Sequence, residues 1–224
     1  MNKQKFLENL KYILKDLKEN AVLNPEFICA VCGKDINTKS MLCDKCKREF
    51  ESLLYMKTQH DTLCLYQYDG VVRDIIHKLK YDNRADLAKL LGERIYKSIL
   101  NKETKVDMMT WVPIHEKRLQ TRGYDQAMLM AQDVAKRLDL PCTKLLDRTR
   151  ETKPQYNLGK EERIENISGA FEFCGVNIAG KRIILIDDIC TTGITMSECA
   201  KLIKNAGGKV LKLAFAAEIF KKKY

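Results

Sequence analysis

Hydrophobic positions along this chain follow two periods. Phe6, Leu10, Ile13, Leu14 and Leu17 recur at helical spacing among Lys and Glu, which predicts an amphipathic helix over residues 3–20. Asn24 and Pro25 close it. Further on, strand-like and helix-like stretches alternate. Strands are predicted over 63–68, 107–112, 142–146, 181–186 and 209–216. Helices are predicted over 71–81, 85–100, 126–138 and 195–206, the first with Val72, Ile75, Ile76 and Leu79 on one face. The run Lys181 to Ile186 is apolar without alternation, the mark of a strand covered on both faces. Strands interleaved with long helices imply right-handed crossovers, hence an α/β domain whose mostly parallel sheet is flanked by helices. Residues 148–169 break the pattern, being polar and too long for an ordinary connection.

Composition narrows the class. The 224 residues are 45% hydrophobic and 31% charged, with 4 Pro and 11 Gly, which excludes a disordered or collagen-like chain. The length suits one ordinary domain with a small appendage. No apolar run approaches the ~20 residues that cross a bilayer, so a spanning protein is not expected. The first twenty residues alternate Lys with Glu and Asp, so a secretory signal is not expected either. The net charge of +10 is spread along the chain rather than gathered in an arm. It permits a polyanionic partner without identifying one.

Cysteine placement adds a metal candidate. Cys29, Cys32, Cys43 and Cys46 form two C-x2-C pairs ten residues apart. Each pair makes a knuckle that turns two thiolates inward, and two knuckles complete a tetrahedral shell for a structural Zn2+. Gly33, just after the first pair, suits a turn that needs positive φ. Two disulfides are the alternative, disfavoured without a secretory signal. Cys64, Cys142, Cys174, Cys190 and Cys199 sit singly in apolar patterns, as buried reduced thiols do. The organisation expected is a helix over 1–24, a four-cysteine finger over 25–50 and one domain over 51–224.

Ligands of parallel sheets bind outside the carboxyl ends of the strands. The candidate segment runs from Ile183 to Thr195: an apolar strand ending in Asp187-Asp188, then Ile189-Cys190-Thr191-Thr192-Gly193-Ile194-Thr195 opening a helix. Amides at a helix N-terminus form an anion site, Gly193 lets the backbone approach a phosphate, and threonine hydroxyls add donors. Ionised Asp187 and Asp188 accept only, which suits a vicinal diol. From Asp188 to Thr192 the chain reaches about 14 Å fully stretched. Folded into a loop it matches a pentose from its diol to its 5-phosphate. The bland alternative is a surface turn with a threonine cap and two solvated aspartates. Neither a G-x4-G-K-S/T loop nor a G-x-G-x-x-G fingerprint occurs.

Hydrophobic strand, D-D, then T-T-G-x-T resembles the phosphoribosyl pyrophosphate (PRPP) motif of type I phosphoribosyltransferases. Further residues are similar to the ComF family of competence proteins. They are Tyr68-Asp69-Gly70 with Val72-Arg73, Leu79-Lys80-Tyr81, Val112-Pro113, Arg118, Arg122-Gly123-Tyr124 with Gln126-Ala127, and Arg148 with Gln155, Arg163, Asn166 and Gly169-Ala170-Phe171. The four-cysteine finger ahead of the domain belongs to the same pattern. The resemblance covers about residues 27–217. It implies that Asp187 and Asp188 hold the ribose hydroxyls, with or without Mg2+ between, and that residues Cys190, Thr191, Thr192, Gly193, Ile194 and Thr195 complete the PRPP site. It further implies that Pro113, Ile114 and His115 lie near the pyrophosphate with Lys117, Arg118 and Arg122 as candidate cations. Arg148, Arg150, Lys153, Gln155 and Arg163 then belong to a lid. Two positions depart from the pattern: Asp125 stands where the family usually has Asn, and His115 where a second proline is common. Asp125 is also suited to cap the following helix, and a lone histidine is more often a surface or partly buried residue.

Two functions follow from the resemblance. One is transfer of a phosphoribosyl group from Mg2+-PRPP to an acceptor the sequence does not reveal. The other is a non-catalytic accessory protein for uptake of transforming single-stranded DNA, on the cytoplasmic side with a helicase-like partner. Lys45, Lys47, Arg48 and the tail Lys221 to Lys223 are its basic clusters. Tyr55, Tyr66, Tyr68 and Tyr124 are either base-stacking residues or, as apolar positions more often hold them, core. The sequence does not choose an oligomeric state, and a dimer stays open.

Overall fold

The computed structural model describes residues 27–37, 40–100, 105–152, 162 and 166–219. The predicted helix over 3–20, the lysine tail and Lys153, Gln155 and Arg163 lie outside them. The chain divides into two compact units, residues 1–48 and 49–224.

In the first unit the two cysteine pairs sit on short turns. Ile28 bridges Asp35 in antiparallel fashion, the Cys29 N–H donates to the Lys34 carbonyl at 2.8 Å, and Gly33 takes φ +72°. That angle lies in the left-handed region where glycine is unstrained, as its place in the sequence predicts. Cys43 directly precedes helix α1 (Asp44–Ser52) and Cys46 lies in its first turn.

The second unit holds a five-stranded sheet. Its strands are β1 (Leu54–Gln59), β2 (Thr62–Gln67), β3 (Met108–Trp111), β6 (Arg182–Cys190) and β7 (Lys209–Ala217), in the order β1-β2-β7-β6-β3. Only β1 runs antiparallel to its neighbour; β2–β7, β7–β6 and β6–β3 are parallel. A small antiparallel pair, β4 (Leu146–Arg148) with β5 (Phe171–Phe173), stands apart. Five helices join these strands: α2 (Gly70–Tyr81), α3 (Leu87–Leu100), α4 (Glu116–Arg122), α5 (Gln126–Leu138) and α6 (Ile194–Asn205). The mostly parallel α/β architecture is the one the alternating pattern predicts. None of the described helices is long and apolar enough to cross a membrane.

Strand β6 is buried on both faces. Ile183 and Leu185 pack with Met196, Cys199 and Ile203 of α6 and with Leu146 and Phe171 of the small pair. Ile184 and Ile186, pointing the other way, are equally buried. Three expectations are corrected. Residues 142–146 make no strand: Cys142 forms one isolated parallel bridge to Met109, and pairing resumes at Leu146. The strand bearing Asp187 and Asp188 does not end there but continues to Cys190, because β7 stays paired with it to Ala217. The single cysteines are not all buried either, since Cys174 is exposed and Cys142 half-buried.

Candidate functional site

Parallel pairing brings the carboxyl ends of β2, β7, β6 and β3 to one edge of the sheet. The loop after β2 supplies Asp69, whose carboxylate accepts from the Gly70 N–H at 2.8 Å and caps α2. The loop after β3 supplies Pro113, Ile114 and His115, and the loop after β6 supplies Thr191 to Gly193.

Asp187 and Asp188 are consecutive within β6, so their side chains leave on opposite faces. Asp187 shares its face with α6 and accepts from the Asp188 N–H at 2.8 Å. Burial, then the adjacent Asp188 charge, holds its carboxyl well above the usual carboxylate range, against the pull of Lys80. Asp188, 4% exposed, meets Lys80 from the last turn of α2, with Nζ 2.9 Å from Oδ2. At that distance the contact is a charge-assisted ion pair, the ammonium standing directly against the carboxylate oxygen.

The phosphate-loop candidate is held from the β1–β2 hairpin. Gln59 Nε2 donates to the Thr191 carbonyl at 3.2 Å and to the Glu218 carbonyl at 3.3 Å. His60 and Asp61 form a two-residue turn with φ 50° and 55°. A Cβ on Gly193 would lie 2.5 Å from His60 Cβ, and Gly193 itself has φ +71°. Both facts require glycine at the N-cap of α6, where no side chain then competes for the helix amides. Thr192 Oγ1 is buried without a hydrogen-bond partner. Cys190, just ahead of this loop, packs with Cys64, Ala214 and Ala217.

The candidate cations do not behave alike. Arg118 donates to the Thr152 carbonyl at 3.1 Å, and Arg148 donates to the Thr152 hydroxyl. Two guanidiniums therefore converge on one buried residue. Arg148 also lies over the Phe171 ring, 5.2 Å from its centroid, and its Nε is unpaired. Burial, then the Arg118 charge, pulls the Arg148 pKa below its usual value, with Asp187 opposing. Lys117 instead pairs with Glu151 at 2.7 Å in solvent. Arg122 bonds Gln126 and stacks on Tyr81, 5.6 Å from its centroid. Arg150 donates to the carbonyls of Asn166 and Ser168 at 3.2 and 2.7 Å, tying residue 150 to the stretch before β5.

Both departures from the family pattern have structural reasons. Asp125 is the N-cap of α5, its Oδ1 accepting from Ala127 and Met128 N–H at 3.0 and 3.1 Å and its Oδ2 from Ile114 N–H at 3.0 Å. Three donors on two oxygens favour a carboxylate over an amide, whose NH2 would face the Ile114 N–H. His115 caps α4, its Nδ1 accepting from the Lys117 N–H at 3.3 Å. The tyrosines divide. Tyr66 is core, stacked on Phe215 with centroids 5.0 Å apart. Tyr124 donates its hydroxyl to the Leu79 carbonyl at 2.6 Å, and Tyr55 and Tyr68 are half-buried.

In the finger, the sulfurs of Cys29, Cys32, Cys43 and Cys46 all lie within 4.8 Å of one another, and Cys32 and Cys43 are 3.7 Å apart. Tetrahedral zinc thiolate, with Zn–S of about 2.3 Å, spaces its sulfurs by about 3.8 Å, so the donor set fits that ion. Burial opposes a thiolate at Cys29, but N–H groups of Cys43, Cys32 and Val31 overcome it and hold the pKa at about 6. Burial and the neighbouring sulfurs push Cys46 up. Four sulfurs this close form a donor set that could hold one metal ion.

Residues 125–223 match the family described as the phosphoribosyl transferase domain. Over most of its length the chain is similar to proteins named for competence or DNA utilization. It is 25% identical to the DNA utilization protein YhgH of Escherichia coli K12 over 208 residues, covering 83% of this chain and 88% of that one. It is also 25% identical to competence protein F of Haemophilus influenzae (81% and 92% covered) and to competence protein ComFC of Streptococcus pneumoniae (82% and 96%). Among solved structures, adenine phosphoribosyltransferase of Leishmania tarentolae aligns with a TM-score of 0.44 at 11% identity, covering 72% of this chain and 93% of that one.

Lys80 was the residue sequence reasoning missed. Leu79-Lys80-Tyr81 contributed only to the resemblance, and nothing in its spacing marks a partner more than a hundred positions away.

Proposed function

We propose that the carboxyl edge of the sheet binds PRPP or a phosphoribosyl ligand related to it. Asp187 and Asp188 accept from the ribose hydroxyls, Thr191 to Thr195 hold the 5-phosphate at the α6 N-terminus, and Arg118 with Arg148 receives the pyrophosphate. One observation carries this reading. Apart from Asp188 Oδ2, which meets Lys80, four buried side-chain polar atoms lack a hydrogen bond among the described residues, and two of them, Thr192 Oγ1 and Arg148 Nε, belong to this one site. Buried polar groups are otherwise satisfied almost without exception, so a cluster of orphans marks where a polar ligand completes the network. The two guanidiniums at Thr152 repel each other until an anion arrives. Where transfer occurs, the bond from the anomeric carbon to pyrophosphate breaks, and these cations stabilise the leaving charge. Mg2+ would enter with the pyrophosphate and share its charge.

Calorimetric titration with PRPP and with ribose 5-phosphate tests the assignment. Replacing Asp187 by Ala, or Thr192 by Val, is expected to weaken both ligands by about tenfold or more, the worth of one lost charge-assisted or buried hydrogen bond. Undiminished binding in both variants overturns it.

The relatives' names favour a wider role. We infer that this cytoplasmic protein serves natural competence and handles incoming single-stranded DNA, with zinc as a structural ion in the finger. Lys45, Lys47 and Arg48 are all exposed and suit phosphate contacts.

A further inference from the structure

Asp188 is among the most buried charged groups described, and its counter-charge comes from the protein itself. Lys80 Nζ stands 2.9 Å from Oδ2, with the two side chains 18% and 6% exposed, and this is the one ion pair Asp188 makes among the described residues. Burial works against the Lys80 charge, yet Asp188, with Asp187 and Tyr68 behind it, holds the ammonium above the ordinary lysine value. A buried pair of this kind is poor value for stability alone, because desolving two charges offsets their attraction. A carboxylate oxygen has two acceptor positions, so Oδ2 can meet the ammonium at 2.9 Å and still accept from another donor.

A divalent ion fits this arrangement badly. Mg2+ demands oxygen ligands at about 2.0–2.1 Å in octahedral array, and an ammonium already stands against the most buried carboxylate oxygen. On the other face, Asp187 Oδ1 accepts from a backbone N–H.

We propose that Lys80 is the resident cation of the acidic pair. It holds Asp188 oriented as an acceptor for a ribose hydroxyl, and it takes the place of a divalent ion there. It follows that a 5-phosphoribosyl group binds at the acidic pair with no metal requirement of its own, whether or not a pyrophosphate brings Mg2+ to the cations beyond it. This rests on the phosphoribosyl reading of the site and specifies its cation. Lys80 is a positioning residue, acting through Asp188. An ammonium has three donors, so it can neutralise the carboxylate and still offer an N–H toward the sugar.

The test is titration of the intact, zinc-loaded chain with ribose 5-phosphate, in EDTA and in Mg2+, for the wild type, Lys80→Gln, Lys80→Arg and the double variant Lys80→Gln/Asp188→Asn. The wild type is expected to bind equally in both media, within about twofold, whereas Lys80→Gln loses about tenfold or more in EDTA and recovers part of it in Mg2+. Lys80→Arg keeps the charge and should stay near the wild type. Should Lys80→Gln fail to fold around an unpaired Asp188, the double variant, with no charge to bury, is expected to fold, bind weakly and ignore Mg2+. Wild-type affinity that collapses in EDTA overturns the proposal. So does Lys80→Gln binding as the wild type in EDTA, or a double variant that binds as the wild type. No ribose 5-phosphate binding by the wild type in either medium removes the phosphoribosyl reading itself, a result distinct from failure of the Lys80 role alone.

Discussion

Asp187 shows how one side chain can be set for function at a cost in stability. Its carboxyl is held well above the usual range by burial, then by Asp188. A carboxyl raised in the folded state stabilises that state while protonated. The contribution is complete below the unfolded pKa of about 3.9 and is lost as pH rises through the folded value. Asp187→Asn keeps an acceptor for the Asp188 N–H and removes the titration. Its urea midpoint is therefore expected to exceed the wild type's near about pH 7.5 and to converge with it near about pH 4. A difference that narrows with rising pH contradicts this. The acidic pair was visible in sequence, but by itself it fitted two solvated aspartates at a surface turn as well as a ligand site; the T-T-G-x-T that follows made it a candidate. The environments of the two carboxylates were not visible, since Lys80, Arg148 and Asp125 come from three other elements.

At the scale of elements, the site depends on a hairpin braced against a helix start. The predicted strands and helices lie within a few residues of those found where the pattern was long, as in α5, placed at 126–138 in both. Strand β1 was missed because its burial does not alternate and its edge position leaves Leu54 and Met56 exposed. Yet this strand carries Gln59 and leads into His60, which fix the Thr191–Gly193 loop. Gly193→Ala would place a methyl 2.5 Å from His60 Cβ at a φ of +71°. Destabilisation of about 1–3 kcal/mol is expected, with weaker ribose 5-phosphate binding, because hairpin and loop must part. An unchanged urea midpoint would show that the contact is slack. The short helix α4 was also missed: seven residues with no buried side chain carry no periodic signal.

At the scale of the whole molecule, a four-cysteine module and an α/β domain share a chain with net charge +10. The purified protein is expected to hold about one zinc, lost on Cys46→Ser, since the four clustered cysteine sulfurs make a complete tetrahedral donor set. It is also expected to bind a labelled single-stranded oligonucleotide with an affinity that falls steeply between about 50 and 200 mM salt. A flat salt response, or zinc retained by the variant, would count against these roles. The sequence by itself determined the α/β class, the cysteine ligand set and the motif around Asp187 and Asp188. Each is written in contiguous residues, as a period, a spacing or a strand–loop–helix order. Only the tertiary structure decided which cations face those carboxylates. Lys80 and Arg148 lie far from Asp188 and Asp187 in the chain and reach opposite faces of one strand. That pairing follows from the order β1-β2-β7-β6-β3 and the packing of helices on both sides. No local pattern of residues encodes it.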